Sequence, residues 1–184
     1  MNPIKNLIEH RELKSRISAQ RDRLFRIVYS WCHNPELSDD LTQETLIKAL
    51  KNISGLKKPE SLDCWLYGIL MNCWRDHFRK QRDITDIEDC EFTLDETPET
   101  QYQRQHISNT ILAAVASLPV NQRQTLSLVD LEGFSYAEVA SILETPIGTV
   151  MSRLCRARKS LAEKLLDLKT HSVDAQTPYL RRVK

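Results

Sequence analysis

The 184-residue sequence predicts an all-α protein built from two small helical domains, an N-terminal bundle and a C-terminal helix-turn-helix, joined by an acidic flexible linker. Few breakers interrupt it, since the chain has only four glycines and seven prolines. Apolar residues recur at three- and four-residue spacings in two long blocks. Charge is partitioned as well. Residues 1–82 carry 15 Lys and Arg against 10 Asp and Glu, 83–103 carry 8 acids and no base, and 104–184 carry 11 bases against 7 acids. The strip DITDIEDCEFTLDETPETQYQ is like-charged, contains a proline and separates the periodic blocks, so it reads as a linker. The expected divisions are 1–82, a linker at 83–106, 107–169, and a short basic tail at 170–184.

The first strong helix is RDRLFRIVYSWCHN, with Leu24, Ile27, Val28 and Trp31 on one face. In SDDLTQETLIKALKNI, Ser38 can act as N-cap, and Asp39 and Asp40 then lie in a first turn favoured by the helix dipole. Leu41, Leu46, Leu50 and Ile53 form its inward stripe, leaving Asp40, Gln43, Glu44 and Lys48 outward. The segment SLDCWLYGILMNCWRDHFRKQR interleaves Trp65, Tyr67, Trp74 and Phe78 with Arg75, His77, Arg79, Lys80 and Arg82. Single-stranded nucleic acid needs that pairing of stacking surface and cation. Plain core packing is the competing account for its aromatic residues.

The C-terminal block opens with the helix ISNTILAAVASLP, closed by Pro119. VNQRQTLSLVDLEG follows and ends at Gly133, a natural C′ residue. In FSYAEVASILE, Ser135 and Glu138 make a capping box, and Phe134 and Val139 a hydrophobic staple. This helix runs to about Glu144. Thr145-Pro146 restarts the chain, with threonine as N-cap and proline at N1. Val150, Leu154, Ala157 and Leu161 form the buried stripe of the next helix. Thr149, Ser152, Arg153 and Arg156 lie opposite, with Arg158 and Lys159 toward its end. A short helix, a tight turn and a helix with a small-polar, cationic face make a DNA-binding helix-turn-helix. Gly148, in its first turn, costs about 1 kcal/mol of helix propensity against Ala. It leaves room for a phosphate at the backbone N–H groups, or for the preceding helix.

Other classes are disfavoured. No apolar run approaches the roughly 18 residues of a membrane span, and the start, MNPIKNLIEHRELKSR, is too charged for a signal-peptide core. A cytoplasmic protein with no direct membrane insertion is expected. The five cysteines have no CxxC and no paired Cys/His spacing, which argues against disulfides and structural zinc. No nucleophile–base set, phosphate loop or metal cluster is visible, so neither an enzyme nor a cofactor or metal is expected.

The motifs DDLTQETLIKAL, CWLYGILMNCWRDHFRK and SLPVNQRQTLSLVDLEGFSYAEVASILETPIGTVMSRLCRARKSL closely resemble those of the extracytoplasmic-function (ECF) sigma factors, over about 24–82 and 107–166. The resemblance implies a promoter-specificity subunit of bacterial core RNA polymerase, with contacts to the β′ clamp coiled coil and the β subunit. It assigns Asp39, Asp40, Leu41, Gln43, Glu44 and Lys48 to polymerase. Lys57, Lys58, Trp65, Asn72, Arg75, His77, Arg79 and Lys80 go to the −10 element, where strands open and Asn72 meets a flipped base. Gly148, Thr149, Met151, Ser152, Arg153, Cys155, Arg156 and Arg158 go to the −35 duplex. It also implies an anti-sigma partner. Met151 and Cys155 replace bulkier or cationic residues of relatives, so no −35 sequence preference carries over. Two rivals stand beside this reading: a stand-alone helix-turn-helix regulator, and a thiol- or metal-responsive regulator using Cys155.

Overall fold

The computed structural model describes residues 3–56, 58–84 and 113–174, and every regular element among them is helical. The N-terminal domain holds α1 (Pro3–Ser18), α2 (Arg21–Cys32), α3 (Pro35–Lys51) and α4 (Leu62–Ile84), with 3₁₀ turns at Ile53–Gly55 and Pro59–Ser61. The C-terminal domain holds a helical turn at 113–116, α5 (Val120–Leu126) continued by a π turn (Ser127–Leu131), α6 (Tyr136–Leu143) and α7 (Ile147–Asp174). Residues 85–112, with most of the acidic strip, and 175–184 of the basic tail lie outside the described residues, while 83–84 end α4 and 170–174 continue α7.

Local sequence explains most boundaries. α2 buries Leu24, Ile27, Val28 and Trp31 as expected, and ends at His33 in the left-handed region (φ 53°), whose N–H donates to the Tyr29 carbonyl. α3 begins earlier than expected. Asn34 caps it, accepting a 2.9 Å bond from the Leu37 N–H, and Pro35 opens its first turn. Ser38 is therefore no cap: it is fully buried in the helix and its hydroxyl donates to the Asn34 carbonyl. Asp39 and Asp40 move into the second turn, where the dipole argument weakens. The inward stripe is Ser38, Leu41, Thr42, Thr45 and Ala49, with Leu46 and Leu50 only half-buried at its edge.

In the C-terminal domain, Gly133 has φ +76° and the Phe134 N–H reaches back to the Leu128 carbonyl, closing the helix before it. The Ser135/Glu138 capping box is present in both directions, and the hydroxyl and N–H of Ser135 hold the Glu138 carboxyl below its ordinary pKa. The cap expected at Thr145 is not made. Its N–H completes the end of α6 on the Ala140 carbonyl, while its hydroxyl is buried without a partner. α7 starts instead on the Pro146 carbonyl, which accepts from Thr149 and Val150.

The two domains share one core. Buried residues of α2 and α4 (Trp31, Leu66, Tyr67, Leu70) continue into Leu128, Phe134, Val139 and Ile142 of the C-terminal domain. The Tyr67 and Phe134 rings meet edge-to-face at 5.0 Å, worth about 0.5–1.5 kcal/mol beyond burial. The Trp31 indole N–H donates to Ser127 Oγ at 2.6 Å. Arg123, 3 % exposed, donates to the carbonyls of Trp31, Ala116 and Leu118. Arg23 pairs with Asp63 (2.8 Å) and crosses to Glu132. A second clasp joins Arg75 to Glu144 (2.7 Å) and to the Leu143 carbonyl (2.8 Å).

Replacing Arg123 by Met leaves these carbonyls without their donor in a dry interface. The cost is expected to be about 3 kcal/mol, read as a lower midpoint in urea unfolding. His33 beside it gives a pH dependence. Both ring nitrogens are buried without partners, and burial, then the Arg123 charge, holds the imidazole below its ordinary value. The folded state favours the neutral ring. Its contribution is intact above the unfolded value near 6.5 and is lost as pH falls below it. The urea midpoint should drop from about pH 7.5 to about pH 5.5, and His33→Asn should flatten that slope.

Candidate polymerase and nucleic-acid interfaces

α7 is built to expose one face. Val150, Leu154 and Ala157 are buried and Leu161 partly so, which anchors it on α5 and α6. Gly148, Ser152, Cys155 and Lys159 follow one another at three- and four-residue steps on the outside, with Arg156 beside them, and all are exposed. Met151 (53 % exposed) and Ile147 (49 %) border that face. Thr149 and Arg153 sit half-buried on its flank. Arg158 turns elsewhere: its guanidinium grips Asp130 with two bonds, 2.5 and 3.2 Å, which raises its pKa further. Its charge is therefore spent inside the domain. Lys159 replaces it on the outer face, with only a loose 3.9 Å approach to Glu163.

α4 has the same two-sided construction. Leu62, Leu66, Leu70, Cys73 and Trp74 pack inward with Tyr67 and Met71. Tyr67 is 1 % exposed and Trp74 6 %, so these two rings are core and are closed to a base. The Trp31–Trp74 edge contact at 5.4 Å fixes the second of them. Trp65, Asn72 and Arg79 recur every seven residues on another face, and Asn72 and Arg79 are exposed. With Ser61, Cys64, Gly68 and Ile69, Trp65 and Asn72 line one wall of a cleft closed on the far side by Ser141 and Ile142 of α6. Arg75 stands at its end, held by Glu144 and by the Asn72 amide oxygen at 3.3 Å. Arg79 pairs with Asp76 at 3.0 Å. His77, five residues past Asn72, points roughly 140° away from it, and Lys80 is exposed on the near flank. Lys58 is exposed between the two 3₁₀ turns, and Lys57 lies outside the described residues.

On α3, Asp40, Gln43, Ile47 and Lys51 are exposed along one face, with Glu44 half-buried beside them. Asp39 is tied to Arg21 (2.6 Å) and accepts from the Gln43 amide. Lys48 bonds Glu44 at 2.9 Å, which raises its pKa, and approaches Asp76 at 3.6 Å. Leu41 is 1 % exposed. Its side chain packs in the core, as the inward stripe of α3 predicts. Sequence reasoning missed Ile47, 51 % exposed in the middle of this polar face. The step Asp40–Gln43–Glu44–Ile47 carried the signal, since it is one face of a helix.

Comparison with known proteins now bears on these faces. The sigma-70 region 2 family matches residues 17–84, and the sigma-70 region 4 family matches 108–161. An ECF RNA polymerase sigma factor, EcfG of Rhodopseudomonas palustris, is 37 % identical over 155 residues, covering 83 % of this chain and 84 % of its own. The RNA polymerase sigma-H factor of Pseudomonas aeruginosa is 30 % identical over 159 residues, covering 79 % and 82 %. Among solved structures, the sigma factor RpoE of Bartonella quintana, in complex with the anti-sigma factor NepR, superposes with a TM-score of 0.65 at 28 % identity. It covers 84 % of this chain and 96 % of that one. The chain belongs to the ECF sigma factors. It is a promoter-recognising subunit of RNA polymerase, and the reading as a stand-alone regulator is set aside.

The sigma-factor fold also narrows the reason for Gly148. A Cβ placed there meets nothing within 4 Å, and its φ is not positive. Packing against the preceding helix is therefore excluded as the reason for this glycine. Gly148→Ala should stabilise the isolated sigma factor by about 0.5–1 kcal/mol in thermal unfolding. If DNA backbone comes close to this turn, the same variant should bind promoter duplex more weakly, a split that a purely structural glycine would not produce.

Proposed function

We propose that the three exposed faces divide the work of promoter recognition. Asp40, Gln43, Glu44 and Ile47 of α3, flanked by Asp39 and Lys48, meet the β′ clamp coiled coil of core polymerase. Trp65, Asn72, Arg75, Arg79 and Lys80 of α4, with His77 and the Lys57–Lys58 loop at its border, take the opened −10 strand. The α7 face reads the −35 duplex through Ser152, Arg156 and Lys159, with Arg153, Thr149, Met151 and Cys155 at its edges. The C-terminal domain also meets the β subunit. The divisions at about 82 and 107 separate these tasks.

The observation that carries this reading is the exposed α7 face, in which a small first turn leads into hydroxyl, thiol and cation at helical steps. A helix of that shape fits a major groove, with phosphate contacts setting register and Arg156 able to reach a guanine edge. On α4, the amide of Asn72 offers both a donor and an acceptor to an unstacked base. Trp65 beside it supplies stacking surface of about 1–3 kcal/mol per base, against an unstacking cost of a few kcal/mol. Binding alone then drives strand opening, and no catalytic group is required. An anti-sigma protein as a further partner is supported by the likeness to RpoE in complex with NepR. No helix among the described residues is long and apolar enough to cross a membrane, which agrees with action in the cytoplasm.

The test is reconstituted transcription, with the purified chain and bacterial core polymerase on a genomic promoter library and the transcripts sequenced. Core-dependent transcripts should share a two-part upstream motif. Asn72→Ala and Arg156→Ala should each lower their yield about tenfold, the equivalent of one lost base contact of 1–3 kcal/mol. Asp40→Lys should lower core affinity instead, measured directly by titration. Binding of duplex promoter without polymerase, with no transcripts, would sink the division of labour.

A further inference from the structure

Two kinds of side chain share the outer surface of α7, and they occupy separate rows. At about 100° per residue, Ile147, Met151 and Cys155 fall within roughly 80° of the helix circumference, and Lys159, Ser152 and Arg156 fill about the next 100°. Gly148, without a side chain, lies between the two rows. Both rows are open to solvent. Met151 is 53 % exposed, Ile147 is 49 % exposed, and Cys155 is exposed with them. Val150, Leu154 and Ala157 fill the buried side of α7, so the second apolar row lies outside the core. That row also holds no strong hydrogen-bond donor. Arg158 shares its side of the helix, yet Asp130 takes that guanidinium with two bonds.

In the major groove one base edge carries an apolar group, the C5-methyl of thymine. Guanine, cytosine and adenine are distinguished there by donors and acceptors. A thioether or hydrocarbon pressed on those leaves polar groups buried and unpaired, which weakens binding. Pressed on a methyl, it removes apolar surface from water on both partners. We propose that Met151 and Cys155, with Ile147 at the helix start, read thymine methyls in the −35 duplex. Ser152, Arg156 and Lys159 hold phosphate and guanine on the other side of Gly148. Met151 and Cys155 are about 6 Å apart along the helix axis, close to two base steps of about 3.4 Å. The preferred −35 element then holds roughly two A·T pairs within about three positions, with their thymines on the strand that faces the apolar row. The proposal rests on α7 being the −35 reader.

The experiment uses holoenzyme, the full chain with bacterial core polymerase. Selection from a duplex library randomised upstream of the start site gives the preferred −35 element. Its thymines are then replaced one at a time by deoxyuracil, which removes the methyl and keeps the pairing, and affinity is measured by competition. Wild type should lose about fourfold per methyl. Cytosine at such a position should bind weakly, and 5-methylcytosine, which restores the methyl, should recover about fourfold. M151A should lose the preference for thymine over deoxyuracil at the position it faces, and M151A/C155S at both. R156A should weaken every duplex about tenfold and keep that preference. A bias toward A·T pairs that came from duplex stiffness would survive in M151A/C155S. Equal binding of thymine and deoxyuracil duplexes by wild type overturns the methyl readout. So does an undiminished thymine preference in M151A/C155S, or a selected element without A·T pairs. A loss in R156A with no methyl effect removes the apolar readout alone and leaves α7 as the −35 reader. If R156A and M151A/C155S both leave the −35 dependence unchanged, that assignment fails, and the readout with it.

Discussion

The C-terminal end of α2 is buried against the other domain, and the fold has to satisfy the carbonyls that such an end leaves without partners. Arg123 does this. Its guanidinium reaches the Trp31 carbonyl on one side of the junction and the Ala116 and Leu118 carbonyls on the other. A buried cation without a carboxylate is costly, and burial pushes its pKa down. Three carbonyl dipoles, one at the negative end of a helix, offset that cost. The adjacent indole N–H is satisfied by Ser127, and the remaining polar contacts, Arg23 with Glu132 and Arg75 with Glu144, flank an apolar centre. Leu128, Phe134 and Tyr67 close it.

That junction lets short helices serve two purposes at once. α4 and α7 each commit one side to the core and leave another side unfilled, so their outward residues are held on rigid elements rather than on loops. Trp74 and Tyr67 illustrate the division. They belong to the most aromatic stretch of the chain, yet both fill the interior, whereas Trp65 and Phe78 are only half-buried. Aromatic content sets how much stacking surface a segment owns, and helical phase sets how much of it is usable.

Charge follows the same logic. Arg158 is engaged by Asp130, Lys48 by Glu44, Arg23 by Asp63 and Glu132, and Arg75 by Glu144. Counting cations along the chain overstates the positive surface presented to DNA, because several neutralise carboxylates within or between the domains. Arg156, Lys159 and Lys80 stay on the outer surface.

Much of this was legible in the residues alone, wherever the physics is local. The Ser135/Glu138 box, the positive-φ Gly133, the buried Val150–Leu154–Ala157 stripe and the apolar side of α2 all depend on neighbours within a few positions, and all are present. The helix starts at Asn34 rather than Ser38, and the unbonded Thr145 hydroxyl, went unread because two adequate caps compete within a few residues. Packing selects between them. The pairing of Arg158 with Asp130 across 28 positions, and Arg75 held by Glu144 across 69, have no signature in any short window. The first arises from helix packing within the C-terminal domain, the second from the docking of one domain on the other. Periodicity names the face of a helix, but only the fold brings a second helix against it.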